Sequence, residues 1–83
     1  MFPAYRKYKN SNTFFKLINE NRFEEISFIG SKAFLHSIEA KQYPEFLRIQ
    51  DMLNCKDDIW IEISEAEYRA QKKLHLIKME FFK

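Results

Sequence analysis

The first half of the chain contains short hydrophobic runs, some of them partly alternating with polar residues, of the kind that forms strands. Two of them, residues 13–19 and 23–29, are rich in aromatic and β-branched side chains, and a third spans residues 32–40. Residues 23–29 also fit helical spacing, but Gly30, the only glycine, follows them and favours a strand that ends in a turn. The pattern predicts three antiparallel strands in a meander, preceded by residues 4–9 as either a further strand or an extended arm.

The pattern changes at Pro44, which marks the beginning of a helix. Proline suits the first helical turn because the backbone N–H that it lacks would have no partner there. Phe46, Ile49 and Leu53 follow at spacings that place them on one helical face. Residues 43–54 are therefore predicted to form a short amphipathic helix.

The clearest strand pattern in the sequence lies at residues 59–63. Three isoleucines there alternate with Trp60 and Glu62. If the isoleucines face the core, Trp60 faces solvent or a partner. If both faces of the sheet are covered, Trp60 belongs to the core. The sequence leaves these two alternatives open.

A capping box follows directly and predicts the last helix. The Ser64 hydroxyl can accept a hydrogen bond from the amide of Glu67, whose carboxylate can reach back to the Ser64 amide. Acidic residues lie in the first turns of residues 64–81 and lysines in the later turns, as the helix dipole favours. The predicted buried stripe of this helix is Ala66, Ala70, Leu74, Ile77 and Phe81.

These elements predict an α+β fold in the order β-β-β-α-β-α, with or without an additional N-terminal strand. We expect a small antiparallel sheet with two helices on one face, the longer helix being C-terminal. With 83 residues the chain has room for one hydrophobic core, so residues 1–83 are predicted to form a single domain.

Charge is distributed unevenly along the chain, although the net charge is only +2. Residues 1–22 and 69–83 each contain five basic residues and one acidic residue, whereas residues 23–68 contain four basic and ten acidic residues. Two interpretations are open. Basic ends that meet in space would form one positive face, whereas basic ends that contact the acidic middle would be neutralised within the domain.

The sequence contains few of the residue groups that enzymes use. His36, His75 and Cys55 have no spacing typical of a zinc site, and His36 is expected to be partly buried on the apolar side of its strand. A single glycine cannot build a phosphate-binding loop, and adjacent carboxylates on a strand point to opposite faces. We therefore predict a protein that is not an enzyme and that uses no cofactor, metal or small-molecule substrate.

The sequence also indicates where the protein works. It has one cysteine, no apolar stretch long enough to span a membrane and no signal-peptide pattern at its start. One cysteine cannot form an internal disulfide, which is typical of proteins in a reducing compartment. These features predict a soluble cytoplasmic protein without a membrane partner.

Binding surfaces are the remaining candidates for function. Aromatic and basic residues interleave near the N-terminus, a composition that can stack on bases and contact phosphates. The bases of the last helix would extend a positive face, and an outward-facing tryptophan would be a hot spot for a protein partner. The candidate partner- or nucleic-acid-binding residues are Tyr5, Arg6, Lys7, Tyr8, Lys9, Trp60, Arg69, Lys72 and Lys73.

The order of several short motifs resembles that of small proteins from phages and mobile elements of Bacteroidetes. The basic-aromatic segment YRKYKNSNTFFKLI precedes FEEISFIG, and IWIEISEAEY follows the Pro44 helix, so the resemblance covers Tyr5 to Tyr68. The basic helix after Tyr68 departs from the shorter proteins of this kind. Within that group the chain is similar to anti-CRISPR proteins, in particular those directed at the RNA-targeting nuclease Cas13b.

The resemblance implies an inhibitor that binds the guide-RNA-loaded CRISPR effector nuclease in the cytoplasm of the bacterial host. It carries over no functional residue, because anti-CRISPR proteins share almost no sequence features. The alternative is a small RNA-binding regulator of a phage or mobile element, which would bind naked nucleic acid in a salt-dependent way. A third hypothesis is a protein that dimerises through the edge of its sheet or through the Trp60 face.

Overall fold

The computed structural model describes the backbone of residues 2–30 and 32–81, with side chains up to Leu74. The strands are β1 (Ala4–Tyr8), β2 (Thr13–Asn19), β3 (Arg22–Ile29), β4 (Lys32–Glu39) and β5 (Trp60–Glu62). The α-helices are α1 (Tyr43–Leu53) and α2 (Glu65–Phe81), and Lys56–Asp58 form a 3-10 turn before β5. The predicted α+β fold is confirmed, with the longer helix at the C-terminal end of the described chain.

The five strands form one antiparallel sheet in the order β4-β3-β2-β1-β5. The first four strands are a meander, and β5 joins it on the outer side of β1, where Trp60 lies opposite Tyr8. Residues 4–8 are thus a strand inside the sheet and not an extended arm. Residues 23–29, which fitted both a strand and a helix by spacing, belong to β3.

Helices cover both faces of the sheet, so the expectation of two helices on one face was wrong. The reason lies in β2, where Phe14, Phe15 and Leu17 are all buried although Phe14 points away from the other two. We name the two sides by the helices that cover them. On the α1 face, Phe15 and Leu17 pack with residues of α1, and on the α2 face Phe14 packs with Tyr68 of α2.

Residues at the beginning of helix α1 stabilise it locally. Pro44 lies in the first turn, and the Glu45 carboxylate accepts hydrogen bonds from the backbone N–H groups of Lys41 and Gln42 at 2.9 and 3.0 Å. Ile49 and Met52 are fully buried against the sheet. The helix thereby closes the α1 face of the core.

The orientation of the short strand β5 decides between the two alternatives that its sequence left open. Trp60 is only 8% exposed, whereas Ile59 is 45% exposed. Pairing with Tyr8 puts Trp60 on the α1 face, where it joins the core. The alternative in which both faces of the sheet are covered and Trp60 is a core residue is therefore correct.

Helix α2 begins as predicted but packs through a different stripe. The Ser64 hydroxyl accepts a hydrogen bond from the Glu67 N–H at 3.1 Å. The buried residue is Tyr68, at 1% exposure. Among the predicted stripe residues, Ala66, Ala70 and Leu74 are exposed, and the side chains of Ile77 and Phe81 lie outside the described part of the chain.

The predicted stripe of α2 was wrong because the helix is attached by polar atoms as well as by apolar surface. Tyr68 and Lys72 both hydrogen-bond to Glu24 of β3, which fixes the helix with this side toward the sheet. The ring of Tyr68 supplies the apolar contact with Phe14 and Ile26, and its hydroxyl finds an acceptor in Glu24. Apolar residues at helical spacing alone therefore predicted the side of the helix that faces solvent as its buried side.

Candidate interaction surface

The basic-aromatic N-terminal segment is divided between the two faces of the sheet. Because β1 is a strand, its successive side chains alternate. Arg6 and Tyr8 lie on the α1 face, and Tyr5 and Lys7 lie on the α2 face, as their cross-strand partners indicate. The segment therefore does not form one continuous stacking surface.

Arg6 is a structural residue of the core and is 8% exposed. Its guanidinium donates hydrogen bonds to the carbonyl oxygens of Met52 and Leu53, at 2.9 and 3.1 Å, and to that of Tyr5 at 2.8 Å. Nη1 also lies 3.8 Å from the carboxylate of Glu62. With its donors committed in this way, Arg6 does not present a free charge to a partner.

The two tyrosines of β1 pack against other rings. Tyr8 stacks on Trp60 with ring centroids 5.9 Å apart and meets the edge of Phe15 at 5.1 Å. Tyr5 lies on the other face, where its ring is 5.4 Å from that of Tyr68. Both tyrosines are half-buried, so they contribute to the core more than to a free surface.

The two lysines of this segment also have partners. The Nζ of Lys7 lies 5.6 Å from the centroid of the Phe14 ring, within the range of a cation–π contact. Lys9 forms an ion pair with Asp58. Lys9 is exposed, and Lys7 is half-buried.

Two of the three predicted basic residues of α2 contact acids. Arg69 pairs with Glu65 one helical turn earlier. Lys72 extends from α2 to the sheet and donates to Glu24 of β3 at 3.0 Å. Lys73 is exposed on the side of α2 that faces solvent.

The uneven charge along the chain is neutralised within the domain. In five of the six ion pairs of the described residues, a base from one of the two basic end segments contacts an acid from the acidic middle. The interpretation of self-complementary charge thus fits the contacts better than one positive face. The pairs are Arg6–Glu62, Lys9–Asp58, Arg22–Glu39, Arg48–Glu25, Arg69–Glu65 and Lys72–Glu24.

Glu24 is an acid of β3 on the α2 face that contacts helix α2. It accepts hydrogen bonds from the Tyr68 hydroxyl at 2.8 Å and from Lys72 at 3.0 Å. Burial raises the pKa of Glu24, but the hydrogen bonds from Lys72 and Tyr68 and the charges of Lys72 and Lys16 outweigh burial and bring the pKa below its ordinary value. Burial and the Glu24 carboxylate both raise the pKa of Tyr68, so its hydroxyl stays protonated and keeps donating.

Arg48 holds the corresponding position on the α1 face and is not among the predicted site residues. Its Nη2 lies 3.3 Å from the Glu25 carboxylate and 3.4 Å from the Tyr8 hydroxyl. Its guanidinium carbon lies 5.7 and 5.4 Å from the ring centroids of Phe15 and Phe23. A single arginine in a predicted amphipathic helix gives no signal of this role, because the rings that it covers come from other elements.

The residue types that could carry catalysis are dispersed. His36 lies on the exposed edge strand β4, so the expectation that it is partly buried was wrong. Cys55 is a free, half-buried cysteine in the loop before β5. Among the described residues, no group of three or more His, Cys, Asp or Glu side chains is placed to hold a metal ion. Nor does any helix of that part of the chain have the length and apolar character needed to cross a membrane.

A shallow pocket of about 460 Å³ lies between the β1–β2 turn and the loop before β5. Lys9 and Asp58, which form an ion pair, both line it. The backbone of Cys55, Asp57 and Asp58 in this loop has positive φ angles of 49°, 60° and 57°, a region that non-glycine residues seldom occupy. The loop thus has a backbone conformation that is unfavourable for non-glycine residues, and it lies beside this charged pocket.

The surface that the sequence analysis missed is apolar. Helix α1 exposes Tyr43, at 75%, and Leu47, at 41%, on the side opposite its buried residues. Phe46, at 40%, flanks them. The sequence predicts Leu47 and Met52 only as neighbours of the stripe formed by Phe46, Ile49 and Leu53, and the position of Phe46 on that stripe was wrong, since Phe46 is exposed.

Comparison with known proteins gives no identification: no family model, curated protein or solved structure matches the chain. The exposed side chains and the paired charges are the structural features that bear on its function. We call Tyr43, Phe46 and Leu47 the α1 patch. It lies on the outer side of a helix whose inner side closes the core, so it is fixed in place by the fold.

Proposed function

We propose that this protein is a non-enzymatic binding protein that inhibits a host defence nuclease, with the guide-RNA-loaded effector Cas13b as its target. The target class comes from the resemblance of the motifs between Tyr5 and Tyr68 to small phage and mobile-element proteins. The mode of action comes from the α1 patch, which presents apolar and aromatic area on a rigid helix. Such side chains are the usual anchors of protein–protein interfaces.

Several basic residues are already paired within the domain. This favours a protein surface over naked RNA as the target. Proteins that bind nucleic acid without a protein partner need several free cations along one face. Here Arg6, Lys9 and Lys72 are each paired with acids or with carbonyl oxygens of the same domain. RNA binding through these three residues would have to break the contacts, whereas docking of the α1 patch leaves them in place.

The test uses purified components. Cas13b loaded with its guide RNA is immobilised, the protein is added, and retention is measured before and after treatment with RNase; cleavage of a target RNA is followed in parallel. We expect retention that survives RNase, together with loss of cleavage. Loss of retention on RNase treatment, or unimpaired cleavage in the presence of bound protein, would contradict the proposal.

A pair of matched variants separates the α1 patch from the rest of the surface. Leu47→Glu adds a charge to the patch, and Ile59→Glu adds the same charge to a side chain of similar exposure, 45% against 41%. We expect Leu47→Glu to weaken binding of the effector by about tenfold or more, since interface anchors contribute at least this much. Ile59→Glu should bind like the native chain. Equal loss in both variants would refute the role of the α1 patch.

A further inference from the structure

Strand β4 is an edge strand of the sheet, and its outer edge is long and little protected. It is eight residues long, whereas β5 at the opposite border has three residues. Since β4 stands last in the strand order, its outer edge pairs with no other described strand. Natural proteins normally protect such an edge with short strands, prolines or charges, and β4 has charged residues only at its two ends, Lys32 and Glu39.

The hydrogen-bond phase of β4 identifies the backbone groups that point outward. The N–H of Ala40 donates to the carbonyl oxygen of Asn21 at 2.7 Å, and the β3–β4 pairing continues from there in regular register. Antiparallel ladders alternate, so even-numbered residues of β4 bond to β3. The N–H and C=O groups of odd-numbered residues therefore point away from the sheet: Ala33, Leu35, Ser37 and Glu39.

Apolar side chains are exposed along this edge on both faces of the sheet. Phe34 is 40% exposed on the α1 face, and Leu35 is 39% exposed on the α2 face. Neither helix therefore covers the border completely. A strand added to β4 would remove both side chains from water while it satisfied the outward backbone groups.

We propose that β4 pairs antiparallel with β4 of a second copy of this chain, which joins the two five-stranded sheets into one. A two-fold axis perpendicular to the sheet relates the two strands and keeps each side chain on its own face, so opposed residues are both odd or both even in number. The register with Leu35 on the axis meets this condition. It places Ala33 opposite the second copy's Ser37 and Phe34 opposite its His36.

The charge pattern of β4 favours a second copy over an unrelated extended segment. Residues 33–38 contain no Asp, Glu, Lys or Arg, so the paired centre buries no formal charge. Antiparallel pairing brings the Lys32 end of one strand beside the Glu39 end of the other, twice per dimer. Lys32 and Glu39 point to opposite faces of the sheet and form no ion pair across the seam, but no like charges meet there, and the edge is complementary to itself in backbone hydrogen bonding.

The experiment requires only the purified chain, so its outcome does not depend on the proposed nuclease target. Analytical ultracentrifugation over a concentration series is expected to show a rise from the monomer mass of 10.2 kDa toward twice that value. Leu35→Lys should raise the dissociation constant of the dimer by about tenfold or more, because it puts two like charges at the axis. Ile59→Lys, at a comparable exposure on another strand border, should dimerise like the native chain.

A second variant tests the backbone pairing itself. Ser37→Pro removes an outward N–H and leaves the hydrogen bonds between β4 and β3 intact, so the fold is expected to persist by circular dichroism. We expect this folded variant to be monomeric where the native chain is dimeric. A native chain that stays monomeric at all concentrations, or a folded Ser37→Pro variant that still dimerises, would overturn the proposal.

The register is tested by cross-linking in a Cys55→Ser background, which removes the native thiol. Leu35→Cys is expected to give a covalent dimer with a short bismaleimide, because the two thiols would lie across the axis. Ile59→Cys serves as the control and should stay monomeric. Cross-linking through both positions alike, or through Ile59→Cys alone, would reject a dimer centred on Leu35.

Discussion

The guanidinium of Arg6 holds the C-terminal end of helix α1 on the sheet by donating from Nε to the carbonyl oxygen of Met52 at 2.9 Å. The last carbonyl groups of a helix have no partner within it, and the negative end of the helix dipole attracts a cation. Arg6 satisfies both requirements, because Nη2 reaches the next carbonyl, that of Leu53. A basic residue that looked like a ligand for phosphate is therefore the link between β1 and α1.

Removing this link is expected to destabilise the fold. Arg6→Ala removes the guanidinium hydrogen bonds to the carbonyl oxygens of Met52, Leu53 and Tyr5, and it should lower the free energy of unfolding by about 2–3 kcal/mol. Arg6→Lys should recover only part of this loss, since an ammonium group cannot donate to both carbonyls with the geometry of the guanidinium. Urea unfolding followed by circular dichroism measures both variants.

The control for Arg6 is Lys9→Ala, which removes an exposed ion pair with Asp58. Exposed pairs of this kind contribute little, so the free energy of unfolding should change by less than about 1 kcal/mol. Equal effects of Arg6→Ala and Lys9→Ala would show that Arg6 has no special place in the core.

The predicted strands and helix ends followed from local signals, whereas the partners of the charged residues did not. Ser64 marked the beginning of α2, aromatic and β-branched residues indicated β2, and Gly30 after a partly alternating run favoured β3. The contacts of Arg6 with Met52 span 46 positions, and those of Lys72 with Glu24 span 48, so neither could be found from spacing within one element. Local sequence therefore predicted the strands and helices. It also suggested a binding role for basic residues that in fact stabilise the fold.

The orientation of β5 could not be predicted from its own residues. Alternation separates Trp60 from the isoleucines but does not say which side is buried. That choice is made by the pairing with β1, which brings Trp60 onto Tyr8, and by α1, which covers this side. The two-sided cover of the sheet follows from β2, where adjacent phenylalanines are both buried.

The hydroxyl of Ser64 is expected to stabilise α2 as an N-cap. Ser64→Ala removes the acceptor of the Glu67 N–H and should lower the free energy of unfolding by about 1 kcal/mol. Ser11→Ala is the control, because its hydroxyl lies in an exposed turn and makes a long hydrogen bond of 3.4 Å to the Thr13 hydroxyl. Urea midpoints of the two variants decide the matter, and a Ser11→Ala effect as large as that of Ser64→Ala would contradict the cap.

The burial of Trp60 makes a prediction that needs no substitution. Trp60 is the only tryptophan, so the fluorescence of the native protein reports on it alone. We expect emission at shorter wavelength than in the urea-unfolded chain, and weaker quenching by acrylamide, because the ring is 8% exposed and stacked on Tyr8. Emission and quenching equal to those of the unfolded chain would place Trp60 at the surface, where the hot-spot hypothesis put it.

The indole nitrogen of Trp60 adds a second test of the same residue. Nε1 is buried and has no hydrogen-bond partner among the described residues. Trp60→Phe therefore gives up packing area but no hydrogen bond, and it should cost less than Trp60→Ala, for which about 3–5 kcal/mol is expected. If both variants unfold at the same urea concentration, the ring does not fill the core in the way described.

The contacts of Glu24 predict how stability depends on pH. The pKa of this carboxyl is lower in the folded protein than its ordinary value of 4.5, because the hydrogen bonds from Lys72 and Tyr68 outweigh burial. A carboxyl with a depressed folded pKa stabilises the fold fully above its unfolded pKa, and this stabilisation is lost as the pH falls through the folded pKa. The contribution of Glu24 should thus be constant near pH 7 and decrease below about pH 4.5.

Glu24→Gln isolates this contribution, because it keeps the shape of the side chain and removes its charge. At pH 7 the variant should be less stable than the native chain by about 1–2 kcal/mol, and the difference should shrink as both are acidified. Urea midpoints between pH 7 and pH 3 measure it, with Glu20→Gln in an exposed turn as the control. A difference that stays the same over this range would mean that the Glu24 charge does not hold α2 on the sheet, and that the apolar contacts of Tyr68 with Phe14 and Ile26 do so alone.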